Sequence, residues 1–123
     1  MEERKVQRLP EGSLVEQTVK EFLKGPSNTG KSVIPPGTRV LGVYLGSDGI
    51  LYLDLSDEFR RNFQGDALTE FLVLKGLYES IISNGEAIDD VKLLVEGKEI
   101  ESIGGHLFAL YPLRSTVEEA RQP

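Results

Sequence analysis

The chain has 123 residues, with 14 Lys plus Arg, 20 Asp plus Glu, a single His, a formal charge of −6 and 39% hydrophobic side chains. That length suits one domain around one core, since a chain this size buries roughly two-thirds of the surface its unfolded form exposes. The absence of cysteine excludes disulfides, thiolate catalysis and Cys-type zinc sites, one His cannot build a His-rich metal centre, and no apolar run approaches the roughly 18 residues of a membrane span.

In chain order, Arg4-Lys5-Val6-Gln7-Arg8-Leu9 predicts a short edge strand ending at Pro10. Ser13 is followed three residues later by Glu16, the spacing of a capping box. Leu14, Val15, Thr18, Val19, Phe22 and Leu23 then recur at helical intervals until Gly25-Pro26 stops the run. A helix of about three turns follows from this pattern. Residues 26–37 carry three prolines and two glycines, which permit neither helix nor central strand and predict a long surface loop.

From Thr38 to Leu45 and from Ile50 to Leu55 the chain is rich in Val, Leu, Ile and Tyr, and Gly46-Ser47-Asp48-Gly49 supplies a hairpin turn between them. Ser56 is placed to cap a short helical turn over 57–63 that packs Phe59 and Phe63. Asp66 opens a second long helix whose Leu68, Phe71, Leu72, Leu74, Tyr78, Ile81 and Ile82 form a broad apolar stripe, with Asn84-Gly85 as its stop. Val91, Leu93 and Val95 alternate into a turn at Glu96-Gly97-Lys98, then Glu99-Ile100-Glu101 and a last apolar segment from Leu107 to Leu110. The charged tail from Arg114 is expected to fray. The order β-α-β-β-α-β-β predicts an α+β domain, a small, mostly antiparallel sheet with two main helices on one face.

Charge is unevenly distributed. Residues 1–62 hold nine basic and nine acidic side chains, and residues 63–123 hold five basic and eleven acidic, so the surplus sits in the second half. The stretch from Glu79 to Glu101 has seven acids against Lys92 and Lys98. Such a surface opposes nucleic-acid binding, which needs clustered cations. It reads first as a solvated acidic face and second as a site for a cation or a basic partner.

The sharpest chemical motif is Gly25-Pro26-Ser27-Asn28-Thr29-Gly30-Lys31-Ser32, which satisfies the string G-x-x-x-x-G-K-[ST] of a phosphate-binding loop. Ile50-Leu51-Tyr52-Leu53-Asp54 resembles the strand whose terminal Asp holds magnesium in such sites. A phosphate cradle needs a strand leading into the loop and a helix starting at its Lys-Ser. Here a helix precedes the string, and Pro35-Pro36 blocks a helix after it. Local context therefore opposes a nucleotide hydrolase built on Lys31, Ser32 and Asp54, and no parallel βαβ unit is expected to join Asp54 to Lys31.

His106 is the general-base candidate with an ordinary pKa near neutrality, but no G-x-S-x-G elbow accompanies it, and the structural reading of this His is the better one. Asp54, Asp57 and Glu58 cluster without the spacing of a calcium loop, and capping around Ser56 accounts for them. Tyr44, Tyr52, Tyr78 and Tyr111 are assigned to packing before glycan or peptide recognition. In the first strand of the hairpin, Val40, Gly42 and Tyr44 alternate with Leu41, Val43 and Leu45, so both faces are largely apolar and one invites cover from outside the domain.

Taken in order, Phe22-Leu23-Lys24-Gly25-Pro26, Ile34-Pro35-Pro36-Gly37-Thr38, Leu53-Asp54-Leu55-Ser56 and the run from Val91 through Leu94 to Gly97 resemble the GerMN domain of bacterial sporulation and germination proteins. The likeness covers residues 4–113 and leaves 114–123 as a tail. It departs from the family at Leu53, where Val is usual, and at Ser80, where Thr is common. An aromatic-rich strand that usually precedes the Arg4-Lys5-Val6 segment is missing. The resemblance places the Gly25–Ser32 string in a variable linker and implies no catalytic, cofactor-binding or metal-binding residues.

It implies a non-enzymatic extracytoplasmic module, similar to ring-building domains, that meets envelope or sporulation-complex proteins or assembles with itself. A lipoprotein anchor upstream of the sequence given is part of that expectation. Binding of cell-wall peptidoglycan, as glycan or peptide, is the alternative.

Overall fold

A computed structural model describes residues 6–24, 34–84, 88–105 and 112–121. In chain order these form β1 (Val6–Arg8), α1 (Leu14–Lys24), β2 (Val40–Gly46), β3 (Ile50–Leu55), α2 (Glu58–Arg61), α3 (Ala67–Asn84), β4 (Asp90–Val95), β5 (Lys98–Glu99) and α4 (Leu113–Arg121). The α+β class and the mostly antiparallel sheet are as expected: five strands in the order β1-β2-β3-β4-β5, with only β3 and β4 parallel.

The start of α1 follows from its capping residues. The Glu16 N–H donates to Ser13 Oγ at 3.3 Å, and Glu16 Oε1 accepts the N–H of Gly12 at 3.3 Å, so the return arm of the box reaches one residue further back than the motif predicts. The β2–β3 hairpin closes through Gly49 at φ +83°, a conformation that costs glycine little. Its register pairs Tyr44 with Tyr52 and Val43 with Leu53. The β4–β5 turn has Glu96 at φ +51° and Gly97 at φ +75°, the two positive values of a tight hairpin turn.

Period-two alternation decides the two faces of the sheet. Val43, Leu51, Leu53, Leu55, Val91, Leu93 and Val95 point to one side, where Val15 and Val19 of α1 and Val73, Leu74, Leu77 and Ile81 of α3 complete a single core. Phe59 of α2 and Ile34 join the same cluster. Ile34 and Pro35 are buried, so the end of the expected surface loop is part of the interior.

Three features add to or depart from what local patterning predicts. First, in a winding that the sequence leaves open, β3, α3 and β4 form a parallel βαβ crossover, with Leu53 opposite Leu93 and Leu55 opposite Val95. Local patterning reads the strands but not the order in which a helix returns the chain beside them.

Second, residues 113–121 form a helix where a fraying tail is expected. Leu113 is fully buried and Val117 is 2% exposed, and this i, i+4 pair gives an otherwise charged segment a foothold on the core.

Third, Ser56 does not cap α2, whose first turn follows Asp57 without a side-chain cap. Its buried hydroxyl accepts the Arg39 N–H at 2.8 Å, and its own N–H donates to the Arg39 carbonyl at 2.9 Å, which clamps the two ends of the hairpin.

The stripe predicted on the second helix is also displaced. Leu68 and Leu72 face solvent at 64% and 45% exposure, and Val73 and Leu77 take the buried positions with Leu74 and Ile81.

Candidate interaction surfaces

Lys31, Ser32 and His106 lie outside the described residues, as do the Gly25–Ser32 string and the strand expected over Leu107 to Leu110. The flank of the string is described: α1 ends at Lys24, so a helix leads into it. Asp54 is 9% exposed, and its Oδ1 accepts the N–H of Gly97 at 2.8 Å. That bond ties β3 to the β4–β5 turn 43 residues away.

The neighbouring carboxylates go elsewhere. Asp57 pairs with Arg61 at 3.1 Å, and the Asp57 N–H donates to Glu96 Oε2 at 2.9 Å. Glu58 is held below its ordinary pKa by a hydrogen bond from its own N–H and one from the Ser56 hydroxyl, with Arg39 and Arg61 nearby. No group of three His, Asp or Glu among the described residues could hold a metal ion.

Two surfaces remain, one on each side of the molecule. The described helices all send their buried side chains to one face of the sheet. On the other face, the register sets Arg8, Tyr44, Tyr52 and Lys92 in one row across four strands. Tyr44 lies along its own strand, with its hydroxyl against Gly42, and the Arg8 guanidinium sits 5.7 Å from the ring centroid, a cation–π distance. Lys92 pairs with Glu99 at the far end of the row. The two-sided hairpin read from the sequence therefore becomes a lipophilic core face and a tyrosine-bearing outer face.

The second surface is the outer side of the helix layer. Phe22 of α1 packs against Gly76 of α3, where a Cβ would collide with its ring. Beside this contact Leu14, Gln17, Thr18, Glu21, Phe22 and Ser80 line an open hollow of about 490 Å³. Ser80 lies one turn beyond Gly76, and Leu14 two turns before Phe22, so the helices run antiparallel.

Leu14 is 63% exposed at one end of this layer, and Leu68 and Leu72 rise from the opposite end of α3. The flanking charges pair internally: Glu16 with Lys20 at 3.0 Å, Glu21 with Lys24 at 2.9 Å and Lys75 with Glu79 at 3.3 Å. The Lys20 partner, chiefly, together with the Gly12 N–H, lowers the pKa of Glu16 against the opposing effect of burial. Leu68 and Leu72 belong to the apolar stripe that the sequence spacing predicts, but α3 is apolar on nearly every side, so spacing alone does not separate its buried face from its exposed one.

The sequence profile of the Germane family, described as sporulation and spore germination, matches residues 1–101. The chain belongs to the Germane family. Solved structures agree with the assignment. The first GerMN domain of the sporulation protein GerM from Bacillus subtilis is 28% identical, with a TM-score of 0.59 over 79% of this chain and 76% of that one.

A candidate lipoprotein from Clostridium perfringens shares the fold at 20% identity, with a TM-score of 0.71 over 89% of this chain and 86% of its own. The tandem GerMN domains of Bacillus subtilis GerM match 92% of this Germane chain and 48% of theirs, at 20% identity and a TM-score of 0.57. Among curated proteins, no sequence matches significantly. No helix of the described Germane residues is long and apolar enough to cross a membrane.

Proposed function

We propose that this Germane chain is a non-enzymatic module of the bacterial envelope in spore formation or germination, held outside the cytoplasm by a lipoprotein anchor, that works by docking other proteins through its helix layer. The observation that carries this reading is the exposure of Leu14 at the rim of the hollow between α1 and α3, and of Leu68 and Leu72 farther along the same helix layer. Large apolar side chains grouped on one face mark interaction sites in soluble domains. The envelope placement rests on the family and on the Clostridium perfringens relative. The tandem GerM structure, in which two such domains share one chain, supports a partner of the same fold.

The test replaces the gene in its spore-forming host with one encoding Leu68→Glu and Leu72→Glu together. Both positions are solvent-facing, so the purified variant keeps its melting temperature, and spore formation or germination falls. Unchanged spore yield and germination in a host that depends on the gene would remove the docking role.

The sheet face that carries Arg8 and Tyr44 supports a second reading, binding of cell-wall glycan or peptide on the Arg8–Tyr44 platform. Retention on purified peptidoglycan that is lost with Tyr44→Ala would favour it.

A further inference from the structure

We propose that Arg8 and Tyr44, at the β1–β2 end of the sheet's outer face, form a receptor for the terminal carboxylate of a short peptide ending in alanine, the group that cell-wall stem peptides present. This rests on the second reading above and names the group that is recognised.

The row Arg8, Tyr44, Tyr52 and Lys92 is accessible at one end. Toward β4, Tyr52 is 9% exposed, and the Lys92 side chain is 12% exposed and paired with Glu99. Toward β1, Arg8 is exposed and Tyr44 half-buried. A ligand therefore meets the row where Arg8 stands.

Arg8 is positioned before anything binds. Its Nη2 donates to the Leu41 carbonyl at 3.2 Å, and its guanidinium lies over the Tyr44 ring, 5.7 Å from the centroid. Tyr44 is fixed in turn, with its hydroxyl against Gly42. A side chain already stacked and tethered loses less freedom on binding than a loose one. Stacking engages the flat side of the guanidinium and the carbonyl takes one of its five N–H groups, so its edge keeps donors for a ligand.

Charge selects the ligand. Lys20, Lys24, Arg61, Lys75 and Lys92 each pair with an acid, whereas among the described residues no carboxylate lies within ion-pair distance of Arg8. Glu16 senses the Arg8 charge, but its own partner is Lys20 at 3.0 Å. A phosphate dianion calls for several cations, and one guanidinium fork matches a carboxylate. The chain's charge of −6 also repels densely charged polyanions. Beside the charge, the Tyr44 ring offers a low apolar surface that fits a methyl group better than a bulky side chain.

Heteronuclear NMR titration tests the proposal with three probes: N-acetyl-D-Ala-D-Ala, its C-terminal amide, and N-acetylmuramic acid, whose carboxylate is carried on a sugar. The free dipeptide should shift the Arg8 Nε–H and Tyr44 signals saturably at millimolar concentration, and added salt should weaken it. The amide, and the dipeptide with Arg8→Gln, should bind about tenfold more weakly or worse. Arg8→Lys keeps the charge without the fork and should fall between. Both variants should melt close to wild type, because Arg8 is exposed.

A wild type that ignores the free dipeptide, an amide that binds equally, an Arg8→Gln variant that binds as wild type does, or N-acetylmuramic acid binding more tightly than the dipeptide would each overturn the proposal. Retention on purified peptidoglycan separates it from the reading it rests on. Retention lost with Tyr44→Ala but kept with Arg8→Gln keeps the platform and overturns the carboxylate receptor; dipeptide binding that needs Arg8, in a protein that peptidoglycan does not retain, does the reverse.

Discussion

Phe22 lies against the backbone of α3 at Gly76, so closely that no side chain fits between them. This contact sets the spacing of α1 and α3 and therefore the shape of the hollow beside it.

Gly76→Ala should thus destabilise the domain even though it removes a glycine from mid-helix. The propensity gain of about 1 kcal/mol is opposed by an overpacking cost of about 1–3 kcal/mol, and the collision is with a ring held on a packed helix. Urea denaturation of the single variant should show a net loss. Pairing it with Phe22→Leu should recover part of that loss, because the two changes share one contact.

Asp54→Ala leaves the Gly97 N–H without its acceptor and should cost about 1–3 kcal/mol. Asp54→Asn keeps a side-chain oxygen for that N–H and should cost less. Chemical denaturation of the two variants checks the order. A nucleotide-site role for Asp54 would instead give a Mg-ATP-dependent thermal shift in the wild type, and none is expected.

Glu16 gives the fold a defined acid dependence. Its folded pKa lies below the ordinary value of 4.5, mainly through Lys20. The carboxylate therefore contributes stability that is fully present above that ordinary value and is lost as pH falls through the depressed one. Lys20→Met should reduce this contribution, flattening the decline in melting temperature below about pH 4.5 relative to wild type. Parallel acid-side melts of the two proteins would show it.

Leu113 and Val117 make α4 part of the domain. Leu113→Ala should cost about 2–5 kcal/mol, whereas Arg114, at the exposed start of the helix, also holds the Tyr78 hydroxyl at 3.2 Å and the Asp89 carbonyl. Removing residues 113–123 should lower the melting temperature by more than Arg114→Ala does. Equal melting temperatures for the truncated and full chains would show that α4 adds nothing.

Local signals in the sequence reached the elements whose causes are local. Ser13 and Glu16 marked the start of α1, Gly46 to Gly49 the hairpin turn, and the alternation of Val91, Leu93 and Val95 the inward face of β4. What stayed hidden depends on relations between distant segments. Nothing near Leu53 or Leu93 announces that they pair in parallel, because that follows from the return of α3 across the sheet. The helical spacing that groups Leu68 with Leu74 also does not say where α1 comes to rest, and the position of α1 decides which of them is buried. The helix over residues 113–121 leaves little trace in the sequence, because two buried positions, Leu113 and Val117, among charged neighbours are too few to stand out.

The candidate surfaces followed the same pattern. The two apolar faces of the hairpin were visible as a composition, but only the register shows Arg8 beside Tyr44. The helix hollow was invisible, since it is made by Gly76 admitting Phe22 and by Ser80 being small beside it. Polar motifs drew more notice in the sequence, yet Asp54 proves to be a structural acceptor for Gly97.

The parallel β3–β4 pair also governs the order in which the molecule can assemble. The β2–β3 hairpin closes over a three-residue connection, but β4 reaches β3 only after the chain through α2 and α3 has been gathered, at the higher entropic cost of a long loop. Folding should therefore begin at the hairpin and finish when β4 docks. Conservative truncations such as Val43→Ala should slow refolding, while Val91→Ala should act mainly by speeding unfolding.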